Sequence, residues 1–258
     1  MTAALFMLCA GSGERWNEHL GVPKQLIHFG GEPLIERTAR QVEALEPLAT
    51  IRCVVRDRRI SLRRHQTVLL PPNRSLAETI LATAPYWTDR NVLLLGDVFF
   101  SNRALSLILN SRRELSFFGR PWPSAYVKAG HGEMFGATFS RNGAALMMTL
   151  ATAAMNAVVQ QGIPGNLWNV YQLAAGLPFG SSRRIRRLLV AIDDYTNDLD
   201  TAVDYGRRGN LYEQIATGRQ SPVRTLFHKL TVSPRHLHGF ARWFLWPDRR
   251  HPSPYARA

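Results

Sequence analysis

Apolar positions along the chain form short unbroken runs that alternate with segments of helical period. "AALFMLCA" stops at Gly11 and reads as a buried strand. "PLIERTARQVEALE" places Leu34, Ile35, Ala39, Val42 and Leu45 at near-helical spacing with Pro33 at the first position, which predicts a helix. "TIRCVVR" predicts a second strand, and "QTVLL" a third that Pro71 and Pro72 end. "SLAETILATAPYW" predicts a helix with Ser75 as N-cap and Glu78 three residues on, the pattern of a capping box. "NVLLLGDVFF" is the most apolar strand, broken at Gly96-Asp97, and "NRALSLILNSRR" returns to helix. This alternation over the first 112 residues predicts an α/β fold, a three-layer sandwich around a mostly parallel sheet.

The middle of the chain reads differently. "AYVKAGHGEMFGATFS" holds two strand-like pieces around "AGHGE", and "GAALMMTLATAAMNAVVQQ" is a long apolar helix whose Met-Met pair reads as core packing. "GNLWNVYQLAAG" predicts another helix, with Trp168 and Tyr171 three apart. "RIRRLLVAIDDYTNDLDTAVDYGR" predicts a strand, an acidic loop and a helix start, with Asp193 and Asp194 in solvent. The α/β pattern fades after Gly206, which predicts a domain over 1–205 and an extension over 206–258.

Composition sharpens this picture in three ways. No apolar run approaches the roughly 20 residues of a membrane span, and "ALFMLCA" runs straight into a glycine-rich motif, so it reads as a strand and not as a leader. Two cysteines, Cys9 and Cys53, do not make a disulfide framework and point to a reducing cytoplasm. The net charge of +13 is concentrated late, where residues 206–258 carry ten Arg or Lys against Glu213 and Asp248. The chain has three lysines, Lys24, Lys128 and Lys229; such arginine bias can follow from gene composition and is discounted as a nucleic-acid signal.

A glycine loop between a first strand and a first helix suits phosphate, because glycine lets backbone N–H groups approach an anion. "GSGERW" lacks the Gly-Lys-Ser/Thr of one phosphate-binding loop, and Trp16 stands where a dinucleotide fingerprint needs its third glycine. About 19 residues separate Gly13 from Pro33, the spacing of a long loop that folds over a triphosphate and brings cations with it. A plain tight turn with Arg15 in solvent is the bland alternative.

The match extends past two glycines. "AGSGERW", then "PKQL", then "GGEPLIERT" resembles the signature of the nucleotidyltransferase superfamily with a GT-A-like fold, in which A-G-x-G-x-R is followed by P-K and by G-x-P-L at the head of the first helix. That superfamily includes sugar-1-phosphate nucleotidyltransferases, phosphocholine and methylerythritol-phosphate cytidylyltransferases and molybdenum-cofactor nucleotidyltransferases. The resemblance covers about residues 1–205. It implies a GT-A-like (Rossmann-like) fold and places Ala10, Gly11, Ser12 and Gly13 at the nucleotide, with Arg15 and Lys24 holding its phosphates. It also implies that Asn73 and Ser75, in "NRSLAETI", reach base or ribose, with a simple cap as the equal alternative.

A triphosphate enzyme needs Mg²⁺, with Mn²⁺ as a substitute, and Mg²⁺ takes oxygen ligands. Asp97 follows "NVLLLG" at the end of a central strand, where ligand sites of open α/β sheets lie. "NDLDTAVDY" resembles the family's D-x-D-T-x-x-D-Y segment, which implies Asp200 as second ligand, with Asp198 as runner-up and helix capping as the other use of either. Lys128, His131 and Glu133, around "AGHGE", stand where an acceptor should enter.

The expected activity is transfer of a nucleotidyl group from an NTP to a small phosphorylated acceptor, such as a sugar 1-phosphate or phosphocholine, with release of pyrophosphate. A glycosyltransferase of the same fold is the first alternative, although "GDV" is not D-x-D and the Arg15/Lys24 loop would lack a purpose. A non-catalytic nucleotide-binding or interaction protein is the second. The tail "TLFHKLTVSPRHLHGFARWFLWPDRR" interleaves rings with Arg. This suits packing on the catalytic domain or self-association, or contact with an anionic membrane at the inner face. Nucleic acid is the least supported partner.

Overall fold

The protein's structure, a computed structural model, describes residues 3–11, 13–72, 75–120 and 132–219. The order of elements is β1 (Ala3–Cys9), β2 (His28–Phe29), β3 (Glu32–Pro33), α1 (Leu34–Leu45), β4 (Thr50–Val55), β5 (Gln66–Leu69), α2 (Leu76–Ala82), β6 (Arg90–Leu95), β7 (Val98–Phe99) and α3 (Asn102–Leu109). Then come β8 (Leu115–Arg120), β9 (Glu133–Ser140), α4 (Arg141–Gln161), α5 (Leu167–Ala174), β10 (Leu189–Ala191), β11 (Asn197–Asp198) and α6 (Ala202–Ala216).

Seven strands form one sheet in the order β10-β8-β9-β6-β1-β4-β5. Its pairs are parallel except those that β9 makes with β6 and β8. Every residue of β1 is buried, and its period-two alternation feeds two cores. Ala4, Phe6 and Leu8 join the layer of α2, α4 and α5, while Leu5, Met7 and Cys9 join that of α1 and α3. The expected three-layer sandwich around a mostly parallel sheet is the observed architecture. β1 has β4 on one side and β6 on the other, so the connections reverse direction beside it. Open α/β sheets bind ligands at such a reversal, outside the carboxyl ends of the strands.

Four local readings differ from the pattern. β8, "LSFFGR", is buried along its whole length but shows no alternation that would mark it in sequence. Pro33 stands one residue ahead of α1, as its N-cap. α4 has the length and composition to cross a membrane, contrary to the reading of the apolar runs. In the fold it packs on α2, α5 and β9, burying Met147 and Leu150 while Met148 is exposed. Asp194 is also not in solvent: it is buried and accepts from Ser101 Oγ at 2.6 Å and Thr196 N at 2.7 Å, fixing the cap of α3.

A third core, smaller than the other two, underlies the reversal point. It gathers Trp16, Ile27, Phe29, Leu34, Phe99, Leu199 and Tyr212. Phe99 stacks on Tyr212 at 4.1 Å, Phe29 meets both edge-on, and the Arg37 guanidinium lies 3.9 Å over the Phe99 ring. Burial pushes Arg37 down to about 10, yet its Nη1 donates to the Phe100 carbonyl and to Gln41. Tyr212 belongs to α6, so the expected boundary at 205/206 falls inside a helix that closes this core. The remainder of the extension, from 220 on, and the roles expected of it lie outside the described residues.

Candidate active site

The site is built on the third core. Trp16 is 2% exposed and its Nε1 donates to the Val22 carbonyl at 2.7 Å, which folds the glycine loop back on itself. The Gly13 carbonyl accepts from Trp16 N and Asn17 N, with Gly13 at φ +69°, so a side chain there would be strained. The long loop thus has a buried anchor beside Arg15, and the residue that spoils a dinucleotide fingerprint is that anchor.

Gly96 brings the loop and the metal-candidate strand together. Its N–H donates to the Leu8 carbonyl at 3.1 Å, and a Cβ there would stand 2.2 Å from Cys9 Sγ. No side chain fits, so the ends of β1 and β6 close up and Asp97 comes next to the start of the loop. β7 then pairs antiparallel with β11, setting Asp198 opposite Val98, and Leu199 N donates to the Asp97 carbonyl at 3.0 Å. This short ladder carries the second acidic segment across more than a hundred residues to Asp97. Thr201 caps α6, in a capping box with Asp204. Neither Asp198 nor Asp200 serves as the cap, and both are left for the cleft.

Lys24 Nζ stands 2.5 Å from Asp97 Oδ2 and 2.8 Å from Asp200 Oδ1. Arg15 Nη2 reaches Asp200 Oδ2 at 2.7 Å. Burial works against the Lys24 charge, but Asp97 and Asp200 outweigh it and hold its pKa above the ordinary value. Burial likewise opposes ionisation of Asp200, but Lys24 and Arg15, with a hydrogen bond to Asp198, bring it below the carboxylate range. Asp198 goes the other way. Burial raises it well above the usual range, and Glu133, Asp200 and Asp97 add repulsion. Arg120, 2% exposed, lies near Glu133 and Asp198 with Nε and Nη1 hydrogen-bonded to nothing.

These groups line a cleft of about 310 Å³ together with Gly11, Gly13, Glu14, Gln25 and Glu133. Leu76, Met134, Asn166, Leu167 and Trp168 complete its wall. Of the residues expected at the site, Gly11, Gly13, Arg15, Lys24, Asp97, Asp200 and Glu133 converge here. Ala10 is buried behind the loop, and Ser75 caps α2, accepting from Glu78 N at 3.3 Å, without lining the cleft. Ser12, Asn73, Lys128 and His131 lie outside the described residues. Trp168 and Asn166 were not expected; in sequence both fall in the segment read as a helix.

Two carboxylates aimed at one point offer hard oxygen donors, each side chain less than one-fifth exposed. Among the described residues no group of three or more His, Cys, Asp or Glu side chains forms a metal cage. A pair of carboxylates, with phosphate oxygens and water completing the shell, is nonetheless how Mg²⁺ is commonly held. The donor set therefore fits such an ion.

Residues 5–117 match the family model of the MobA-like NTP transferase domain. No curated protein matches the sequence. Among solved structures, the chain is similar to the inositol-1-phosphate CTP transferase from T. maritima, with a TM-score of 0.52 at 13% identity, covering 86% of this chain and 97% of that one. It is similar also to CMP:2-keto-3-deoxy-manno-octonic acid synthetase complexed with CTP, with a TM-score of 0.54 at 13% identity over 83% and 100% of the two chains. A third is the homologue of Mycobacterium tuberculosis Rv0371c from Mycobacterium sp. strain JC1, with a TM-score of 0.52 at 18% identity over 83% and 98%. Residues 5–117 are thus similar to the MobA-like NTP transferase domain, and the chain shares the α/β fold of these solved structures.

Proposed function

We propose that this cleft transfers an NMP group from an NTP to a small phosphorylated acceptor, releasing pyrophosphate. The observation that carries the reading is Lys24, buried at the loop exit and bonded to both Asp97 and Asp200. A cation this well fixed, beside a glycine loop and Arg15, suits a triphosphate and the charge that develops on its leaving group.

In this reading Gly11 and Gly13 present backbone to the phosphates, and Arg15 and Lys24 hold them in line. Asp97 and Asp200 are the residues that would hold Mg²⁺ or Mn²⁺. When bound, the ion would neutralise phosphate charge. Lys24 then exchanges its two carboxylates for phosphate oxygens. An oxygen of the acceptor's phosphate attacks the α-phosphorus, the bond to the β-phosphate oxygen breaks, and pyrophosphate leaves with that electron pair. Glu133 faces the acceptor. A cytoplasmic setting agrees with two free, buried cysteines whose sulfurs lie 3.7 Å apart. Pyrophosphate release, measured with each of four NTPs against a panel of phosphorylated acceptors and Mg²⁺, tests the reading. No release with any pairing, from a protein that is folded, would overturn it.

A further inference from the structure

The cleft has a second wall that the phosphate machinery does not use. Trp168, in the first turn of α5, lines it. Three residues on, Tyr171 is fully buried, and its hydroxyl accepts from Ile185 N at 2.6 Å and donates to the Arg183 carbonyl at 3.4 Å. Gln172 Nε2 donates to the Ser181 carbonyl at 2.9 Å. These bonds grip the backbone on both sides of Arg184, so the backbone at this residue is pinned to α5.

The Arg184 guanidinium lies beside Gly132, the residue before Glu133 of the cleft. A Cβ at Gly132 would stand 3.2 Å from Trp168 Cζ2 and 3.4 Å from Arg184 Nη2. Indole edge and guanidinium therefore converge on one place. Arg184 Nε is buried and bonded to nothing. Burial lowers the Arg184 pKa, and no carboxylate among the described residues offsets this. A cation withdrawn from water without a counter-charge is costly, and an unsatisfied buried donor in a built position calls for a partner that is not part of the chain.

We infer that Trp168 and Arg184 form the acceptor subsite and select an acceptor by its oxyanion. The anionic group sits on Arg184, and the ring or carbon chain lies across Trp168. This rests on the transfer reaction proposed above and goes beyond it, because it assigns the residues that bind the acceptor. The phosphate monoester that sugar, polyol and choline phosphates share satisfies the guanidinium, and the group that it carries meets the indole.

The test is calorimetric binding of glucose 1-phosphate, glycerol 3-phosphate, gluconate and phosphocholine to the full chain and to Arg184→Gln, Arg184→Lys and Trp168→Leu. CTP and GTP are titrated in parallel, and circular dichroism checks each variant. The expected result is that a phosphate ester or the carboxylate binds the parent chain, about 10–100-fold more weakly to Arg184→Gln, with partial recovery in Arg184→Lys. Trp168→Leu should weaken it severalfold, with nucleotide affinity unchanged. An Arg184→Gln variant that binds as the parent does, or no binding of any anionic probe, would overturn the inference. Failure of every nucleotide to bind would instead sink the reaction, and would leave an Arg184-dependent anion site standing.

Discussion

The two ends of the cleft treat charge in opposite ways. At the glycine loop every named charge has an opposite one: Lys24 lies between Asp97 and Asp200, and Arg15 caps the free oxygen of Asp200. At the α5 wall Arg184 is held in place by peptide bonds gripped through Tyr171, and has no counter-ion among the described residues. The first end is assembled and neutral before a ligand arrives, so a ligand must exchange bonds there. The second is completed by the ligand. A self-neutralised corner favours chemistry on a highly charged triphosphate, since the protein need not unfold or rearrange to tolerate its own carboxylates. An unneutralised wall favours discrimination, since a ligand lacking the matching group leaves a partly buried cation unpaired.

Asp97→Asn should break the first end most completely. Turnover is expected to fall about 10³-fold or more, the loss of several kcal/mol of transition-state stabilisation, while circular dichroism stays unchanged. Near-parental rate at low Mg²⁺ would remove Asp97 from the metal site.

The foundation of that end can be separated from its chemistry by truncation. A chain ending after Gly206 loses Tyr212 and with it the stack on Phe99, an effect of about 3–5 kcal/mol or more by comparison with large aromatic truncations. A chain ending after Arg219 keeps the third core and is expected to melt close to the parent and retain its activity. Equal melting temperatures for the two truncations would show that α6 contributes nothing to the site's support.

Lys24→Ala should lower kcat by about 10²–10³-fold with a smaller change in the KM for NTP, because a cation matched to developing charge acts on the transition state. A change confined to KM would refute that role. The variant also tests the neutralised corner through pH. Lys24 has a raised folded pKa, so its stabilisation is complete below the unfolded value of about 10.4 and is lost as pH rises through the folded one. The parent should therefore lose more stability above about pH 10.4 than the variant does.

The smallest effect sharpens the comparison inside the first end itself. Asp198 has a raised pKa, so the folded state holds its proton more tightly and stability falls as pH rises from about 3.9 through the folded value. Asp198→Asn should melt higher than the parent by a margin that grows across that window, at about 2–4 °C per kcal/mol for a chain of this size. Asp200 is lowered, so its contribution is present above about 3.9 and is lost as pH falls through its folded pKa. Asp200→Asn should therefore lose stability at neutral pH. Melting curves from pH 4 to pH 8 with the same sign for both variants would contradict these assignments.

Much of the first end was legible in sequence, and almost none of the second. Gly11, Gly13 and Asp97 mark themselves locally, because a glycine loop after a strand and a polar residue at a strand end leave local traces, whereas the roles of Arg15 and Lys24 came from the resemblance of their motif. Asp200 showed only as one of two acids ahead of a helix, and its freedom from capping depends on Thr201 doing that work with Asp204. Trp168 read as helix spacing and Arg184 as the start of a strand. Neither bears a local sign of the other, since their meeting depends on the bonds from Tyr171 that fold residues 183–185 onto α5.

The sequence by itself determined the alternation of strands and helices, the two-sided burial of β1, the long loop and the residue types at its exit. These follow from periodicity, backbone restriction and side-chain chemistry, which act over a few residues. The tertiary structure decided what those pieces face. The reversal of strand order beside β1, the near-contact at Gly96 and the two-residue ladder of β7 with β11 bring Asp200 onto Lys24. The stack of Phe99 on Tyr212 ties α6 to the same point. Long-range packing of this kind leaves no period along the chain, because it depends on the shapes of surfaces far apart in sequence that exclude water only when they meet.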